Sequence, residues 1–337
     1  MEDKTNNEYF LMKLLYLALL LAPPIGLSAQ TPPRVSAQQF VDLQQGQTAF
    51  AGFRRAHAKG ICVSGEFRSN GNLADFTQAS LFQPGITPFT GRLSIAGNNP
   101  TAPDLKAPVR SLALSFSISR TEQWRLAMNT PPVMAVADPH SFYQQIQAIQ
   151  AGPAAIKQFF AEHPESSEFL AWAAQYQPTG SFAAETYHSI NAFYLVNAKG
   201  DRQAVRWAMQ PTVSVAPGNL QGDDALQQEI TERISAAQVI FDWVFTLADA
   251  ADDETNSTKA WPADRQQITA GQIVLTGATA QLDGDCHAIN FDPLVLPTGI
   301  TATADPILRA RSAAYAESYR RRAKEQLQGA LQENGNE

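Results

Sequence analysis

Apolar residues at alternate positions predict strands in several parts of the chain. Over residues 111–118, leucine, phenylalanine and isoleucine occupy every second position, which is the period of a half-buried strand. Similar short segments predict strands over residues 54–67, 91–97, 133–136 and 273–275. A hairpin is predicted where residues 189–196 and 204–209 flank the turn Asn197-Ala198-Lys199-Gly200.

Helical spacing is concentrated in the later part of the chain. Predicted helices cover residues 35–50, residues 140–175 with interruptions at Pro153 and Pro164, residues 222–247 as a long helix followed by strand-like sequence, and residues 306–332. The mixture predicts an α+β fold, an antiparallel β-barrel with flanking helices.

The N-terminus has the pattern of a targeting segment. A lysine precedes the apolar run at residues 14–22, two prolines follow it, and Gly26-Leu27-Ser28-Ala29 offers small residues for cleavage. The run is much shorter than the roughly 20 residues that a bilayer-spanning helix needs. We therefore expect residues 1–29 to be a signal peptide for export to a bacterial periplasm. An uncleaved membrane anchor is the alternative, and residues 30–337 would form the functional domain.

Composition limits the class of protein only broadly. The chain is 44% hydrophobic and 17% charged, which is typical of a folded globular protein. Its net charge of −7 and the lack of a basic stripe make nucleic acid an unexpected partner. Cys62 and Cys286 could form a bridge in an oxidising compartment. Because spacing alone cannot show that they meet, we favour two separate buried thiols.

Two short strings carry the candidate chemistry. His57 follows two arginines, and on an extended strand it would share a face with Arg55 and not with Arg54. Arg311 and Tyr315 are four residues apart on the predicted terminal helix, so they share a face. Each string has an ordinary alternative, namely a surface histidine in a basic patch and an exposed Arg–Tyr pair.

Further strings occur in an order that reduces the chance of accident. They are Arg54-Arg55-Ala56-His57-Ala58-Lys59-Gly60, Gly91-Arg92-Leu93-Ser94-Ile95-Ala96-Gly97, Asn129-Thr130-Pro131, Asp138-Pro139 with Phe142, Tyr187 to Asn197, Lys259-Ala260-Trp261-Pro262, Phe291-Asp292-Pro293, and Arg311-Ser312-Ala313-Ala314-Tyr315 followed by Ser318, Arg320 and Arg322. Together they resemble the catalase superfamily from about residue 35 to residue 325. The subgroup with the greatest similarity is that of the small exported catalase-related haem peroxidases, which lack the large C-terminal domain.

The resemblance implies a haem b cofactor and residues that hold it. Tyr315 would be the axial iron ligand as a phenolate, with Arg311 as its charge partner. The residues implied to neutralise the haem propionates or to pack on the macrocycle are Arg54, Arg92, Arg322 and Phe142.

The resemblance also implies a site for peroxide. His57 would take a proton from one peroxide oxygen and deliver it to the other. Asn129 would orient the peroxide, and Ser94 would hydrogen-bond His57 and fix its ring. The implied partners are a peroxide and a small-molecule electron donor.

Two departures from the family pattern bear on the expected activity. Ala316-Glu317-Ser318 stands where Pro-Asp-Thr is typical, and Leu93 stands where phenylalanine is frequent. We therefore expect a peroxidase with weak or absent dismutation of hydrogen peroxide. The alternatives are a catalase with dismutation, a haem carrier or sensor without turnover, and an enzyme that rearranges fatty-acid hydroperoxides.

Overall fold

The computed structural model describes residues 34–214 and 220–334. The predicted signal peptide or anchor at residues 1–29 lies outside this part of the chain. Among the helices of the described residues, none combines the length and the apolar character needed to cross a membrane.

Strands and helices occur in separate runs along the chain, as expected of an α+β fold. The described strands are β1 Gly60–Ser69, β2 Gly85–Ile95, β3 Arg110–Ser117, β4 Gln123–Asn129, β5 Tyr187–His188, β6 Phe193–Val196, β7 Arg202–Pro211, β8 Val239–Leu247, β9 Gln267–Ala280 and β10 Ile300–Ala302. The described α-helices are α1 Ala37–Gln45, α2 Pro139–Ala151, α3 Pro153–Glu162, α4 Ser167–Gln175, α5 Ala225–Ala236 and α6 Pro306–Asn334.

Eight antiparallel strands close into a barrel. The order around it is β7-β5-β4-β3-β2-β1-β9-β8, and β8 pairs with β7 to complete the ring. Strands β6 and β10 extend the sheet from β7. Closure removes the exposed strand edges that an open sheet would leave, and the predicted antiparallel barrel with flanking helices is confirmed.

Large aromatic side chains fill the barrel. Along β7, Val205, Trp207 and Met209 are buried while the residues between them are partly exposed, as the two-residue period requires. Trp124 and Trp243 lie within the same hydrophobic cluster, with ring centroids 5.2 Å apart. Because the interior is packed with side chains, a large ligand must bind outside this core.

The secondary structure departs from the predictions in four places. Residues 133–136 form no strand, because they follow two prolines. They form a loop in which the Met134 amide donates a hydrogen bond to the Ser257 carbonyl. Strand β4 was not predicted, although Trp124, Leu126 and Met128 alternate with more exposed residues as in a half-buried strand. The helix predicted over residues 222–247 ends at Ala236, because the β-branched and aromatic residues of Val239–Leu247 form strand β8. The predicted strand over residues 54–67 begins only at Gly60.

The two cysteines form a disulfide, so our preference for separate thiols is wrong. The bond joins Cys62 in β1 to Cys286, and the two Cα atoms are 5.4 Å apart. Cys286 lies in a short 3-10 helix, Asp285–His287, which follows β9 and folds back over β1. This return of the chain after β9 brings together residues that are 224 positions apart, which spacing in the sequence cannot reveal.

Candidate active site

One cavity brings together all nine predicted site residues. Its walls come from β2, β3 and β4, from the segment before β1, and from α1, α2 and α6. The predicted residues that line it are Arg54, His57, Arg92, Ser94, Asn129, Phe142, Arg311, Tyr315 and Arg322. The cavity has a volume of about 200 Å³.

The register of β2, β3 and β4 places three polar side chains in a row beside His57. Ser94 in β2 pairs with Ser111 in β3, and Ser111 pairs with Asn129 in β4. Directly opposed residues of antiparallel strands point to the same face, so the three polar side chains form a row. His57 lies ahead of β1 with φ of 53°, a conformation that a non-glycine residue rarely adopts.

Ser111 connects His57 with Asn129. Its hydroxyl lies 3.1 Å from His57 Nδ1 and donates a short hydrogen bond to Asn129 Oδ1. A hydroxyl has one proton, so Ser111 must accept from Nδ1–H. This leaves His57 Nε2 as the basic nitrogen and Asn129 Nδ2 as a free donor.

The hydrogen bond that we predicted from Ser94 to His57 is therefore made by Ser111 instead. Ser94 is buried and lines the cavity, but it lies one strand further from Asn129 along the row. The resemblance implied a serine on β2, whereas the serine that contacts His57 lies directly opposite it on β3. The register of β3 against β2 and β4 was the missing information.

The predicted division of residues 54–57 between two strand faces is also wrong. Arg54 and His57 both line the cavity, because this segment precedes the strand and His57 has a left-handed backbone. Arg55 turns away from the cavity and donates to Gln45 and Glu325. Its role is to connect the loop to α1 and α6.

The surroundings of His57 keep its ring neutral. Burial lowers the pKa of His57 to about 4, and the positive charges of Arg92, Arg311 and Arg54 act in the same direction. At neutral pH the ring is therefore uncharged, with one proton on Nδ1, and its Nε2 can accept a second proton.

The opposite part of the cavity carries Tyr315 and Arg311 on α6. Arg311 donates to Asn191 Oδ1 at 2.6 Å and to the Ala127 carbonyl at 2.7 Å. Asn191 in turn donates to Asp305 at 2.7 Å, and both side chains are fully buried. This chain of hydrogen bonds fixes the guanidinium that shares a helix face with Tyr315.

Asn191 and Asp305 belong to the site, but they were not among the predicted site residues. Asp305 also accepts from the Ile307 amide at the start of α6, so a helix-cap signature could have identified it. Asn191 gave no such signal, because its two contacts are 114 and 120 residues away.

Three further arginines converge on the cavity. Burial lowers the pKa of Arg92 to about 9 and of Arg322 to about 10, and Arg322 adds repulsion at Arg92. Burial, then Arg92 and Arg322, hold the pKa of Arg54 well below its usual range. The described residues that line the cavity include no aspartate or glutamate, so no carboxylate of the lining offsets these charges.

Comparison with known proteins agrees with this geometry. The catalase family model matches residues 52–330. A catalase-related peroxidase of Synechococcus elongatus is 33% identical over 95% of this chain and 99% of its own length. Another catalase-related peroxidase, from Mycolicibacterium paratuberculosis, is 25% identical over 86% of this chain and 95% of its own length.

Solved structures show the same fold. A fungal catalase superposes with a TM-score of 0.73 at 18% sequence identity, covering 80% of this chain and 59% of the fungal one. The chain thus spans about three fifths of that catalase. The barrel and its flanking helices have the fold of a catalase core. The chain belongs to the catalase family.

Proposed function

We propose that this protein is a haem-dependent peroxidase that reduces hydrogen peroxide or organic hydroperoxides with a small-molecule electron donor. The observation that carries the proposal is the composition of one cavity. It holds a neutral histidine–serine–asparagine chain on one side and a tyrosine among four arginines on the other. Catalase-related peroxidases are similar to this chain over nearly its whole length, which supports the same activity.

The cavity fits an iron protoporphyrin that carries two carboxylates. Arg54 uses only Nη2, and Arg92 only Nε and Nη2, in hydrogen bonds to the described residues. Their remaining N–H groups, with those of Arg322, are suited to carboxylate oxygens. Phe142 offers an apolar face to the macrocycle, and Tyr315 offers an oxygen ligand to iron.

Bound haem would supply the redox chemistry that takes up the oxidising equivalents of peroxide and accepts electrons from the donor. The chain's own residues handle the proton. His57 Nε2 accepts it from one peroxide oxygen and can return it to the other, a contribution of about 10²- to 10⁴-fold in rate. Asn129 Nδ2 donates a hydrogen bond that orients the peroxide.

The cavity's opening favours a peroxidase over a dismutase of hydrogen peroxide. Tyr319 lines the cavity and is 40% exposed, so the site reaches solvent beside α6. An electron donor or a bulky hydroperoxide can approach such a mouth. The Ala316-Glu317-Ser318 and Leu93 departures from the family pattern point in the same direction.

The test compares two rates on the same haem-loaded protein. Oxygen release from hydrogen peroxide measures dismutation, and the absorbance of an oxidised donor measures peroxidase turnover. We expect donor oxidation to exceed dismutation and to fall in His57→Gln. Dismutation far above donor oxidation would assign the protein as a catalase instead.

We also propose that the protein is exported to the periplasm. The disulfide between Cys62 and Cys286 supports this location, because such bonds persist in oxidising compartments. Cell fractionation tests the proposal: we expect the protein in the periplasmic fraction, and recovery only from cytoplasm would contradict it.

A further inference from the structure

Residues 281–290, which we call the 281–290 segment, accept hydrogen bonds from three of the four arginines that line the cavity, namely Arg54, Arg92 and Arg322. Arg54 Nη2 donates to the carbonyls of Cys286 and Ile289, each at 2.9 Å. Arg322 donates to the Ile289 carbonyl at 3.4 Å and makes a shorter bond to the carbonyl of His287. Two guanidiniums from distant parts of the chain therefore share one set of backbone acceptors.

The same segment holds the third arginine through a side chain. Arg92 Nε donates to Gln281 Oε1 at 3.0 Å, and Gln281 Nε2 donates to the Ala58 carbonyl at 3.1 Å. Among the described residues, Arg54 and Arg322 make their hydrogen bonds to this segment, while Arg92 Nη2 also donates to the carbonyls of His57 at 2.8 Å and Ala58 at 3.2 Å.

Hydrogen bonds within the segment are local. Its described backbone bonds run between neighbours, as from the amide of His287 to Gly284 and from that of Ile289 to Cys286. Strand β9 ends at Ala280, so the barrel ladder does not continue into the segment. Its position therefore depends on contacts to other parts of the chain.

The disulfide is a covalent contact between the 281–290 segment and another part of the chain. It joins Cys286, whose carbonyl holds Arg54, directly to Cys62 in β1. The 281–290 segment and β1 approach so closely that a Cβ at Gly284 would lie 2.6 Å from Cys62 Sγ. Both cysteines pack in a small cluster with Phe291, and Tyr315 lies against it. The bond thus lies beside the cavity.

Three like charges at one place would separate unless something held them. Burial lowers the pKa of Arg54, and repulsion from Arg92 and Arg322 lowers it further. An anchored row of carbonyls opposes this repulsion and leaves unused N–H groups for an anion.

We propose that the Cys62–Cys286 disulfide is a positioning element for carboxylate binding: it fixes the 281–290 segment and, through it, Arg54, Arg92 and Arg322. The inference rests on the proposed haem-dependent function. Breaking the bond weakens the hold on the haem carboxylates and leaves the Tyr315 side of the cavity in place. Under reducing conditions the protein would retain haem poorly.

The experiment titrates apoprotein with two probes, haem and haem dimethyl ester, which lacks the carboxylate charges. Wild type is compared with Cys62→Ser/Cys286→Ser, and circular dichroism checks that both are folded. We expect the variant to bind haem about tenfold or more weakly, with its affinity for the ester unchanged within about twofold. Equal affinity for haem in both proteins, or equal losses for both probes, would overturn the inference.

A second measurement avoids any change of sequence. Wild-type apoprotein, oxidised or reduced with a phosphine, is titrated with zinc protoporphyrin IX and its dimethyl ester, which the reductant does not alter. The same selective loss is expected on reduction, and its absence would overturn the inference. If wild type binds neither haem nor its ester, the proposed function fails rather than the role of the disulfide.

Discussion

The two sides of the cavity are built in different ways. His57 belongs to a chain of neutral side chains whose serine and asparagine come from adjacent strands in direct register, and Arg92 reaches only its backbone carbonyl, at 2.8 Å. The side with the arginines is strongly positive, and carbonyls far away in the sequence hold its side chains. The first arrangement suits proton transfer and the second suits the binding of an anion. Substitutions on the two sides should therefore affect different quantities.

The largest expected effect comes from the side with His57. His57→Gln removes the base and should lower kcat by about 10²- to 10⁴-fold, the usual contribution of general acid–base catalysis. Haem content should not change, because glutamine leaves the arginines intact. Rapid-mixing measurement of the reaction with peroxide, with haem content determined in parallel, checks both parts. A loss below about tenfold would remove His57 from the proton-transfer role.

The next effect concerns affinity rather than rate. Arg322→Gln should weaken haem binding by roughly 10- to 150-fold, because a hydrogen bond to a charged group contributes about 1.5–3 kcal/mol. Titration of the apoprotein with haem measures the change.

A neighbouring arginine provides the control for Arg322. Arg320 is 64% exposed on the same helix and pairs with Glu317 at 2.8 Å. Arg320→Gln should leave haem affinity nearly unchanged. Equal losses for the two variants would mean that overall charge, rather than the arrangement of the cavity, controls binding.

A smaller effect distinguishes the two serines of the strand row. Ser111→Ala should lower kcat by about tenfold, because it removes the hydrogen bonds to His57 and to Asn129, each worth about 0.5–1.5 kcal/mol. Ser94→Ala should change kcat less than about twofold. Steady-state kinetics with saturating donor measure both, and a larger loss for Ser94→Ala would restore the sequence-based assignment.

The pH dependence should be the weakest of these effects near neutrality. The pKa of His57 is lowered to about 4, so the neutral ring persists through mildly acidic pH and is lost only as pH falls through about 4. An unperturbed histidine, with a pKa of about 6.5, would lose roughly tenfold in activity by pH 5.5. Peroxide reaction rates between pH 7.5 and 5.5 should therefore stay nearly constant. A tenfold fall over this range would show that the ring is not shielded.

The sequence predicted the barrel and the set of residues at the cavity better than the contacts among them. Alternation predicted β3, and ordered short strings predicted the nine residues that line the cavity. Strand register decided that Ser111, rather than Ser94, contacts His57. The Cys62–Cys286 bond likewise depends on the return of the chain after β9. Contacts between distant parts of the chain have no local signature in one sequence.

The measurement that tests the central claim most directly is the absorption spectrum of the purified protein beside Tyr315→Phe. Tyr319→Phe serves as the control, because Tyr319 lies one helical turn further along α6 at the mouth of the same cavity. We predict a ferric-haem spectrum of the tyrosinate-ligated kind in wild type and in Tyr319→Phe, and its change or loss in Tyr315→Phe. A wild-type protein that binds no haem even after reconstitution, or an unchanged spectrum in Tyr315→Phe, would contradict the account.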